Sequence, residues 1–428
     1  MEEITIILLN LFLIFTAAKL AGSLLNRLGM PSIVGEVLVG VLIGPYALGW
    51  IGRPDSGLIH LFGADSATAT QALGLIMDAM AELGVILLLF FVGLETHVSE
   101  LFAVRSRATL VGILGILFPF ALGFLLMLAL GKSNLEAAFV ATAMVSTSIG
   151  ITAAVLGEIG VLRSREARII LGAAVVDDIL GLMLLAAVSN LGGGEINLWE
   201  LVLTSMEVLL FIAFIVLVGT RMVRRYSIHL ERIPMRNAPL VVTIFLMLGL
   251  STLAGAIGLA AIVGAFMAGL MLSEAKEHFK LEEKARSIYD FLVPYFFVIT
   301  GTKVDIRAFT DPALIALAVS VTLVAILGKL LGCGLGSSGL RLRSAAIIGV
   351  GMVPRGEVGL VVASIGMGLG TISSDAYSAV VFMSLATTLV APFGLARLFR
   401  TYRSEEPAGL SPGEQPPAFE EEMAEELA

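Results

Sequence analysis

The chain has 428 residues, of which 57% are hydrophobic and 14% are charged, and its mean hydropathy is +0.97. Soluble domains carry about 25% charged residues, so this composition excludes an ordinary soluble protein and predicts an integral membrane protein. The net charge is −8, and the basic residues lie in short loops, which excludes a nucleic-acid-binding patch. The single cysteine, Cys333, excludes an internal disulfide.

Apolar runs near the roughly 20 residues that cross a bilayer as a helix follow one another along most of the chain. Segments of alternating polarity are missing from the sequence, which excludes a barrel and predicts an all-α membrane protein. The N-terminal run starts with acidic residues and lacks a cleavage site, so we interpret it as a retained helix. About thirteen transmembrane helices are predicted, at 3–27, 32–50, 72–95, 105–130, 134–157, 165–190, 198–221, 237–255, 257–274, 286–302, 310–336, 342–370 and 375–400.

The loop charges predict the orientation. With the N-terminus outside, most loop arginines and lysines fall on the cytoplasmic side, and Arg53, Lys132, Lys303 and Arg307 fall on the other. The transmembrane region then spans 1–403 in the inner (plasma) membrane. The segment 404–428 is dense in Glu and Pro and predicts a disordered, acidic cytoplasmic tail.

Two predicted helices carry residues that interrupt a helix at bilayer depth. Residues 145–152 read VSTSIGIT, and residues 349–359 read GVGMVPRGEVG with Pro354 between glycines. The two helices are separated by an odd number of spans, so they run in opposite directions, as inverted repeats require. Matched broken helices are typical of a transport site.

Asp177 and Asp178 lie near the middle of the span 165–190, in AAVVDDILGL. A charge at the membrane centre costs at least about 2.5–3.5 kcal/mol, so such residues indicate function by default. Neighbours on a helix point about 100° apart, so one carboxylate can face a cavity while the other faces a partner helix. Such a pair is expected to exchange protons with pKa values that belong to the pair. The alternative is a purely structural role in holding helices together.

Lys329, in ILGKLLGCGLG, is the deep lysine of the second half and the expected charge partner of one aspartate. The neighbouring Gly328 and Gly332 favour close helix approach. The alternative is that Lys329 extends to the cytoplasmic interface.

A second group of intramembrane charges has either a cavity role or a packing role. It comprises Glu36, Asp78, Glu82, Asp290, Arg355 and Glu357. Thr147, Ser148 and Thr152 are candidate cation ligands at a helix break, although hydroxyls there also satisfy backbone groups that the break frees.

The motifs GEVLVGVLIGP (35–45), AELGVILLLFFVGLE (81–95), STSIGIT, VVDD and the Gly-Lys helix together resemble the second family of monovalent cation:proton antiporters. The Asp-Asp pair with a lysine is similar to bacterial sodium/proton antiporters of the NapA type, which share the NhaA fold. The resemblance covers about residues 1–400. It implies that Asp178 binds the cation, that Asp177 pairs with the lysine, and that Lys329 is that lysine.

The resemblance also implies a homodimer with two crossing broken helices in each subunit. The implied dimerisation helices are about 3–95 and 237–302, the linker helix is 198–221, and the core helices are about 105–190 and 310–400. A nucleotide-binding regulatory domain is not expected, because two aspartates stand where potassium efflux systems of the family have one, and because the chain ends soon after Arg400.

The expected function is exchange of Na⁺ or Li⁺ for H⁺, with both ions competing for the same carboxylates and no resident cofactor. A charge count with Lys329 suggests two protons per sodium and therefore electrogenic transport. A K⁺/H⁺ antiporter uses the same chemistry and stays open, as does a sodium-coupled organic-anion symporter with a roomier site. An intramembrane aspartyl protease fits poorly, since its two carboxylates normally come from different helices.

Overall fold

The computed structural model describes residues 2–28, 30–51, 66–96, 103–193, 206, 210–211, 213–219, 221–223, 225, 237–257, 259–275, 279–303 and 311–405. The described part is helical and contains no strand. Its helices are α1 Glu2–Arg27, α2 Ser32–Ile43, α3 Ser66–Glu95, α4 Arg105–Ala129, α5 Asn134–Ala143, α6 Ile149–Glu158, α7 Arg165–Gly193, α8 Ala238–Ala256, α9 Ala261–Leu272, α10 Leu281–Thr302, α11 Pro312–Gly336, α12 Leu342–Gly351, α13 Glu357–Gly368 and α14 Ser374–Glu405.

Within the described residues, six helical segments are long and apolar enough to cross a membrane. They are Ile7–Arg27, Leu73–Glu95, Arg105–Ala129, Ala238–Ala256, Pro312–Gly336 and Ser374–Phe399. Shorter apolar helices, including α2, α6, α9 and α12, lie between them. The prediction of an all-α, multi-pass membrane protein is therefore confirmed.

Several predicted boundaries were wrong. The span 32–50 ends at Ile43, because Gly44 and Pro45 begin a series of turns that includes Gly49 at φ +67°. The span 72–95 starts earlier, at Ser66, and the span 286–302 starts at Leu281, so both helices continue into polar residues that hydropathy does not register.

Two further predicted spans, 257–274 and 198–221, can be compared with the structure only in part. The span 257–274 forms α9 and a short 3₁₀ turn at Ser273–Ala275. The linker helix 198–221 falls mostly outside the described residues, and its described portion includes a π-helical turn at Ile215–Gly219. The tail beyond Glu405 also lies outside them.

The helices pack in two groups. One group contains α1–α3 and α8–α10, with α3 against α9 and α10, and α2 against α1 and α10. The other contains α4–α7 and α11–α14, with α4 against α11 and α7, and α11 against α14. Helix α6 of the second group contacts α2 and α3 of the first, so this helix lies at the boundary between the groups.

Glycines allow the closest helix contacts within the first group. A methyl group on Gly93 would lie 2.2 Å from the carbonyl oxygen of Phe266, and one on Gly269 would lie 2.1 Å from that of Phe90. Helices α2 and α10 meet in the same way, through Gly40 and Gly301. Small residues at helix contacts let backbones approach and gain van der Waals contact, which stabilises association in a membrane where lipid competes for apolar surface.

Candidate functional site: a buried ion pair between two broken helices

The two predicted helix breaks are present and contact each other. The first separates α5 from α6 over residues 144–148, and the second separates α12 from α13 over residues 352–356. The backbone N–H of Ser148 donates a hydrogen bond to the carbonyl oxygen of Pro354 at 2.8 Å. The Thr147 hydroxyl donates to the Met352 carbonyl at 3.2 Å, so each break satisfies part of the backbone that the other frees.

Four helix ends therefore meet inside the second helix group. The C-terminal ends of α5 and α12 carry partial negative charge, and the N-terminal ends of α6 and α13 carry partial positive charge. Gly356 makes the close approach feasible, because a methyl group on it would lie 2.8 Å from the hydroxyl oxygen of Ser148. The arrangement offers fixed dipoles of both signs to a charged group nearby.

Asp177 lies beside the first break and uses both carboxylate oxygens. It is fully buried, and Lys329 Nζ donates to its Oδ1 at 2.9 Å. The backbone N–H of Thr147 donates to its Oδ2 at 2.8 Å. This N–H lies next to the N-terminal end of α6, so the carboxylate faces both a cation and the positive end of a helix.

Lys329 is also fully buried, so its ammonium group lies in the interior and does not extend to an end of α11. Close packing of α11 on α4 encloses it. A methyl group on Gly332 would lie 2.2 Å from the Leu114 carbonyl oxygen, and one on Gly328 would lie 2.7 Å from Pro119 Cα. Gly115 of α4 faces the lysine itself, since a methyl group there would be 3.6 Å from Nζ.

Asp178 differs from its neighbour in exposure. Asp178 is 7% exposed, whereas Asp177 is fully buried. The Ser148 hydroxyl is buried and makes no hydrogen bond among the described residues. Thr152, in contrast, donates its hydroxyl to the Gly351 carbonyl at 2.7 Å, which caps the C-terminal end of α12. Of the three predicted hydroxyl ligands, Thr147 and Thr152 are engaged with backbone carbonyls.

Arg355 is a second fully buried cation, and it bonds to carbonyls. Its Nη1 donates to Val145, Ser146 and Met352 at 3.3–3.4 Å, and its Nη2 donates to Ala325 at 3.3 Å. The first three oxygens lie just beyond the C-terminal ends of α5 and α12. A positive charge there complements both helix dipoles and satisfies carbonyls that the breaks leave without helical partners.

Three hydroxyls of α14 hold the backbone of Arg355, and the sequence analysis missed them. The Arg355 N–H donates to the Thr387 hydroxyl at 3.1 Å, and the hydroxyls of Ser384 and Thr388 donate to the Arg355 carbonyl. The available signal was the run SLATTL, which places these hydroxyls three and four residues apart on one face of an apolar helix.

Of the remaining predicted charges, Glu357 directly follows the second break, and the other four lie away from both breaks. Asp78 forms a 2.9 Å ion pair with Lys303, and both side chains are about half exposed. Glu82 is exposed, and Asp290 pairs with Arg286 one turn earlier on α10 at 3.5 Å. Glu36 is buried beside a cavity between the helix groups. Glu357 begins α13, and its side chain lies outside the described part.

Buried ionisable groups next to broken membrane helices are typical of proteins that move ions across a bilayer. The model of the family "Sodium/hydrogen exchanger, transmembrane" matches residues 12–401 of this chain. The chain therefore belongs to this family of membrane transporters, and the resemblance to monovalent cation:proton antiporters is confirmed. Membership in a transporter family also removes the protease alternative.

Two bacterial relatives match over nearly their whole length. The chain is 38% identical to the high-affinity Na⁺/H⁺ antiporter NhaS3 of Synechocystis, over 94% of this chain and 91% of that protein. It is 34% identical to the Na⁺/H⁺-K⁺ antiporter GerN of Bacillus cereus, over 89% and 93%. Among solved structures, the sodium proton antiporter MjNhaP1 of Methanocaldococcus jannaschii aligns with a TM-score of 0.61 at 17% identity, covering 94% of this chain and 99% of that one, which shows a shared fold.

Proposed function

We propose that this protein exchanges Na⁺ or Li⁺ for H⁺ by alternating access, and that Asp178 binds the transported ion. The observation that carries the proposal is the buried Asp177–Lys329 pair at the contact of two broken helices, with Asp178 next along α7. A second, adjacent carboxylate of low exposure is costly to keep ionised, and either a proton or a small metal ion offsets its charge. Competition between the two ions for one carboxylate couples their opposite fluxes.

The hydroxyl of Ser148 is the best placed neutral ligand for the cation. It is buried without a hydrogen bond among the described residues, at the N-terminal end of α6. Hard cations take oxygen ligands, and a buried hydroxyl without a partner gains a bond when it coordinates one. Thr147 and Thr152 support the site indirectly, because their hydroxyls hold α12 carbonyls in place.

The proposed exchange is electrogenic. Asp177 has both oxygens engaged, so it joins a cation shell only if Lys329 or the Thr147 amide withdraws. Displacing Lys329 leaves a charged ammonium group without its carboxylate in a low-dielectric site, which is unfavourable. Loss of the lysine proton removes this unfavourable charge. With a second proton from Asp178, two protons exchange for one Na⁺ and a net charge crosses the membrane.

We also propose that the fold consists of two inverted repeats, in which α2 and α3 correspond to α9 and α10. If α2 corresponds to α9 and α3 to α10, a contact between α2 and α10 requires an equivalent contact between α9 and α3. Both contacts are present and both are formed by glycines, the first through Gly40 and Gly301 and the second through Gly269 and Gly93.

A second pair of contacts agrees with the same correspondence. Near the start of α5, Glu136 accepts a hydrogen bond from Ser373, just before α14, at 2.6 Å. Near the start of α12, Ser344 donates to Glu166 of α7 at 2.7 Å. Matching α5 to α12 and α7 to α14 places these Glu-Ser contacts at equivalent positions.

The two helix groups are proposed to have different tasks. Helices α1–α3 and α8–α10 form the dimerisation part of a homodimer, and α4–α7 with α11–α14 form the core that moves with the ions. The segment 198–221 is proposed as the linker. The loop charges favour an N-terminus outside and a C-terminus in the cytoplasm of the plasma membrane.

K⁺/H⁺ exchange is the second candidate, and the name of the Bacillus cereus relative, a Na⁺/H⁺-K⁺ antiporter, favours it. The same carboxylates serve either ion, and selectivity depends on the size of the ligand shell. Proton fluxes driven by Na⁺, Li⁺ and K⁺ therefore need to be compared.

Proton flux in reconstituted liposomes tests the function. Na⁺ or Li⁺ added outside the liposomes is expected to drive protons out, so that the interior becomes alkaline. Asp178→Asn is expected to abolish this change. Equal flux in the variant would remove Asp178 as the binding residue, and equal flux with K⁺ would favour the second candidate. Lys329→Ala is expected to lose the response of the flux to membrane voltage, and an unchanged response would contradict the proposed stoichiometry.

A further inference from the structure

A cavity of about 250 Å³ lies between the two helix groups, away from Asp178. Helices α1, α2, α3 and α10 form one side, and α6 forms the other. A water molecule takes about 30 Å³ in the liquid, so the cavity has room for an ion with several waters.

The cavity has an excess of carboxylates. Glu36, Glu95, Glu158 and Asp290 line it, together with two cationic side chains, Lys19 and Arg286. Neither cation forms an ion pair with Glu36 among the described residues, although Lys19 is near enough for its charge to act on Glu36. Arg286 pairs with Asp290 at 3.5 Å and stacks on the Tyr289 ring, while the exposed Lys19 lies over the Phe15 ring at 5.6 Å.

Glu36 has the greatest need of a positive charge. Its side chain is 7% exposed and lines the cavity, and it makes no hydrogen bond or ion pair within 4 Å among the described residues. Gly22 of α1 accommodates the carboxylate, because a methyl group there would lie 3.3 Å from Oε1. A buried carboxylate without a bonded partner is costly, so this position calls for a bound cation or a proton.

Glu158 lies opposite, at the end of α6. Its Oε1 accepts a hydrogen bond from the backbone N–H of Ser32 at 2.7 Å. Ser32 precedes Glu36 by one helical turn on the same face of α2, which brings the two carboxylates together across the boundary between the helix groups. Two neighbouring like charges repel unless a positive charge lies between them.

An apolar layer separates this cavity from the helix breaks. Gly150, one turn nearer to the break than Ala154, packs against α3 and α10. A methyl group on Gly150 would lie 2.9 Å from Val85 and 3.6 Å from Phe296. An ion in the cavity is therefore close to α6 but has not reached Asp178.

We propose that Glu36 and Glu158 together bind one partly hydrated Na⁺, as a second cation site that the ion occupies before it reaches Asp178. This inference rests on the proposed function. Because one ligand belongs to α2 and the other to α6, the bound ion bridges the two helix groups. Movement of α6 relative to α2 separates the ligands and releases the ion.

Thermal unfolding in detergent tests the second site separately from the first. In the Asp178→Asn variant, NaCl is expected to raise the melting temperature relative to an equal concentration of N-methyl-D-glucamine chloride. Adding Glu36→Gln, which keeps the side-chain shape, is expected to abolish that increase. Glu283→Gln is the matched control, because it removes an equal charge from an exposed position outside the cavity and is expected to keep the increase.

Transport with Asp178 intact gives a second measurement. Glu36→Gln and Glu158→Gln are each expected to raise the Na⁺ concentration for half-maximal flux by at least about fivefold, the lower end of typical coupling between sites. The double variant is expected to show no larger change than the single variants, because both remove the same ion. Additive effects would contradict a shared ion, and an unchanged half-maximal concentration would overturn the site.

The two proposals fail in different ways. If the wild type shows no Na⁺-driven proton flux, the proposed function is wrong. If the wild type transports but Asp178→Asn gains no stability from Na⁺, the second site is wrong and the function stands. If Glu36→Gln is unfolded in N-methyl-D-glucamine chloride, Glu158→Gln replaces it in the melting experiment, because Glu158 is exposed and its substitution disturbs the fold less. Glu158→Gln is then expected to abolish the increase in melting temperature with NaCl, and an unchanged increase would overturn the second site.

Discussion

Lys329→Ala is expected to destabilise the protein because it leaves a buried carboxylate without its cation. Lys329 and Asp177 are both fully buried, with 2.9 Å between their charged atoms. Removing one partner of such a pair costs about 3–5 kcal/mol. The Thr147 amide stays 2.8 Å from the other oxygen of Asp177, and it offsets part of the loss. We therefore expect a decrease of about 3 kcal/mol in the free energy of unfolding, at the lower end of that range.

Unfolding by sodium dodecyl sulfate in mixed micelles measures this change. Lys303→Ala is the matched control, because Lys303 and Asp78 are also 2.9 Å apart but about half exposed. Exposed ion pairs contribute about 0–1 kcal/mol, so the control is expected to lose at most about 1 kcal/mol. The comparison isolates burial, since the distance is the same in both pairs.

The double variant Asp177→Asn/Lys329→Ala tests the cause of the loss. It buries no unpaired charge, and the asparagine oxygen still accepts from the Thr147 amide, so we expect it to recover more than half of the lost stability. A free energy of unfolding for Lys329→Ala within about 1 kcal/mol of the wild-type value would refute the effect of burial, because an exposed pair gives a change of that size. The effect of burial is also refuted if the double variant is no more stable than the single one.

Two further variants test the packing around the breaks by the same unfolding measurement. Arg355→Lys is expected to lose about 2–3 kcal/mol, because a single ammonium group cannot reach both the carbonyls of the first break and the carbonyl on α11, and hydrogen bonds to charged groups contribute about 1.5–3 kcal/mol each. Arg286→Lys, at an exposed position, is expected to change the free energy of unfolding by less than about 0.5 kcal/mol, and equal losses would contradict the role of Arg355. Gly332→Ala is expected to lose about 1–3 kcal/mol, because its methyl group would lie 2.2 Å from the Leu114 carbonyl oxygen; Gly334→Ala, two residues along α11 with nothing within 4 Å, is expected to lose none, and a neutral Gly332→Ala would show that α4 and α11 are not closely packed.

Hydropathy and residue type predicted the helices and the two interruptions. Long apolar runs such as 105–130 and 310–336 became α4 and α11 with small changes at their ends, because a membrane leaves a helix few alternatives. Ser-Thr-Gly and Gly-Pro-Gly stretches marked the breaks at 144–148 and 352–356, since these residues tolerate or satisfy a backbone that leaves the helix. Helix ends outside the apolar runs, at Ser66 and Leu281, carried no such signal.

The partners of charged residues were only partly predictable. Few deep cations exist in the sequence, so Lys329 was the natural neighbour for an aspartate, and the structure places Nζ 2.9 Å from Asp177. Its role in transport stays a prediction. The partners of Arg355 could not be predicted, because the carbonyls it bonds to become available only when α5 and α12 end beside each other. The proximity of Glu36 to Glu158 likewise depends on how α2 meets α6.

The two buried cations are suited to different tasks. Arg355 donates to four carbonyl oxygens from two nitrogens, and a guanidinium group keeps its charge at neutral pH. Lys329 makes one hydrogen bond, to a carboxylate, and a lysine in a protein interior is able to lose its proton. The structure therefore places one cation on the carbonyls of the helix breaks and the other beside Asp177. In the proposed exchange, an ion that arrives at the aspartates displaces Lys329 without disturbing Arg355, so the helix breaks keep their geometry while the ions exchange.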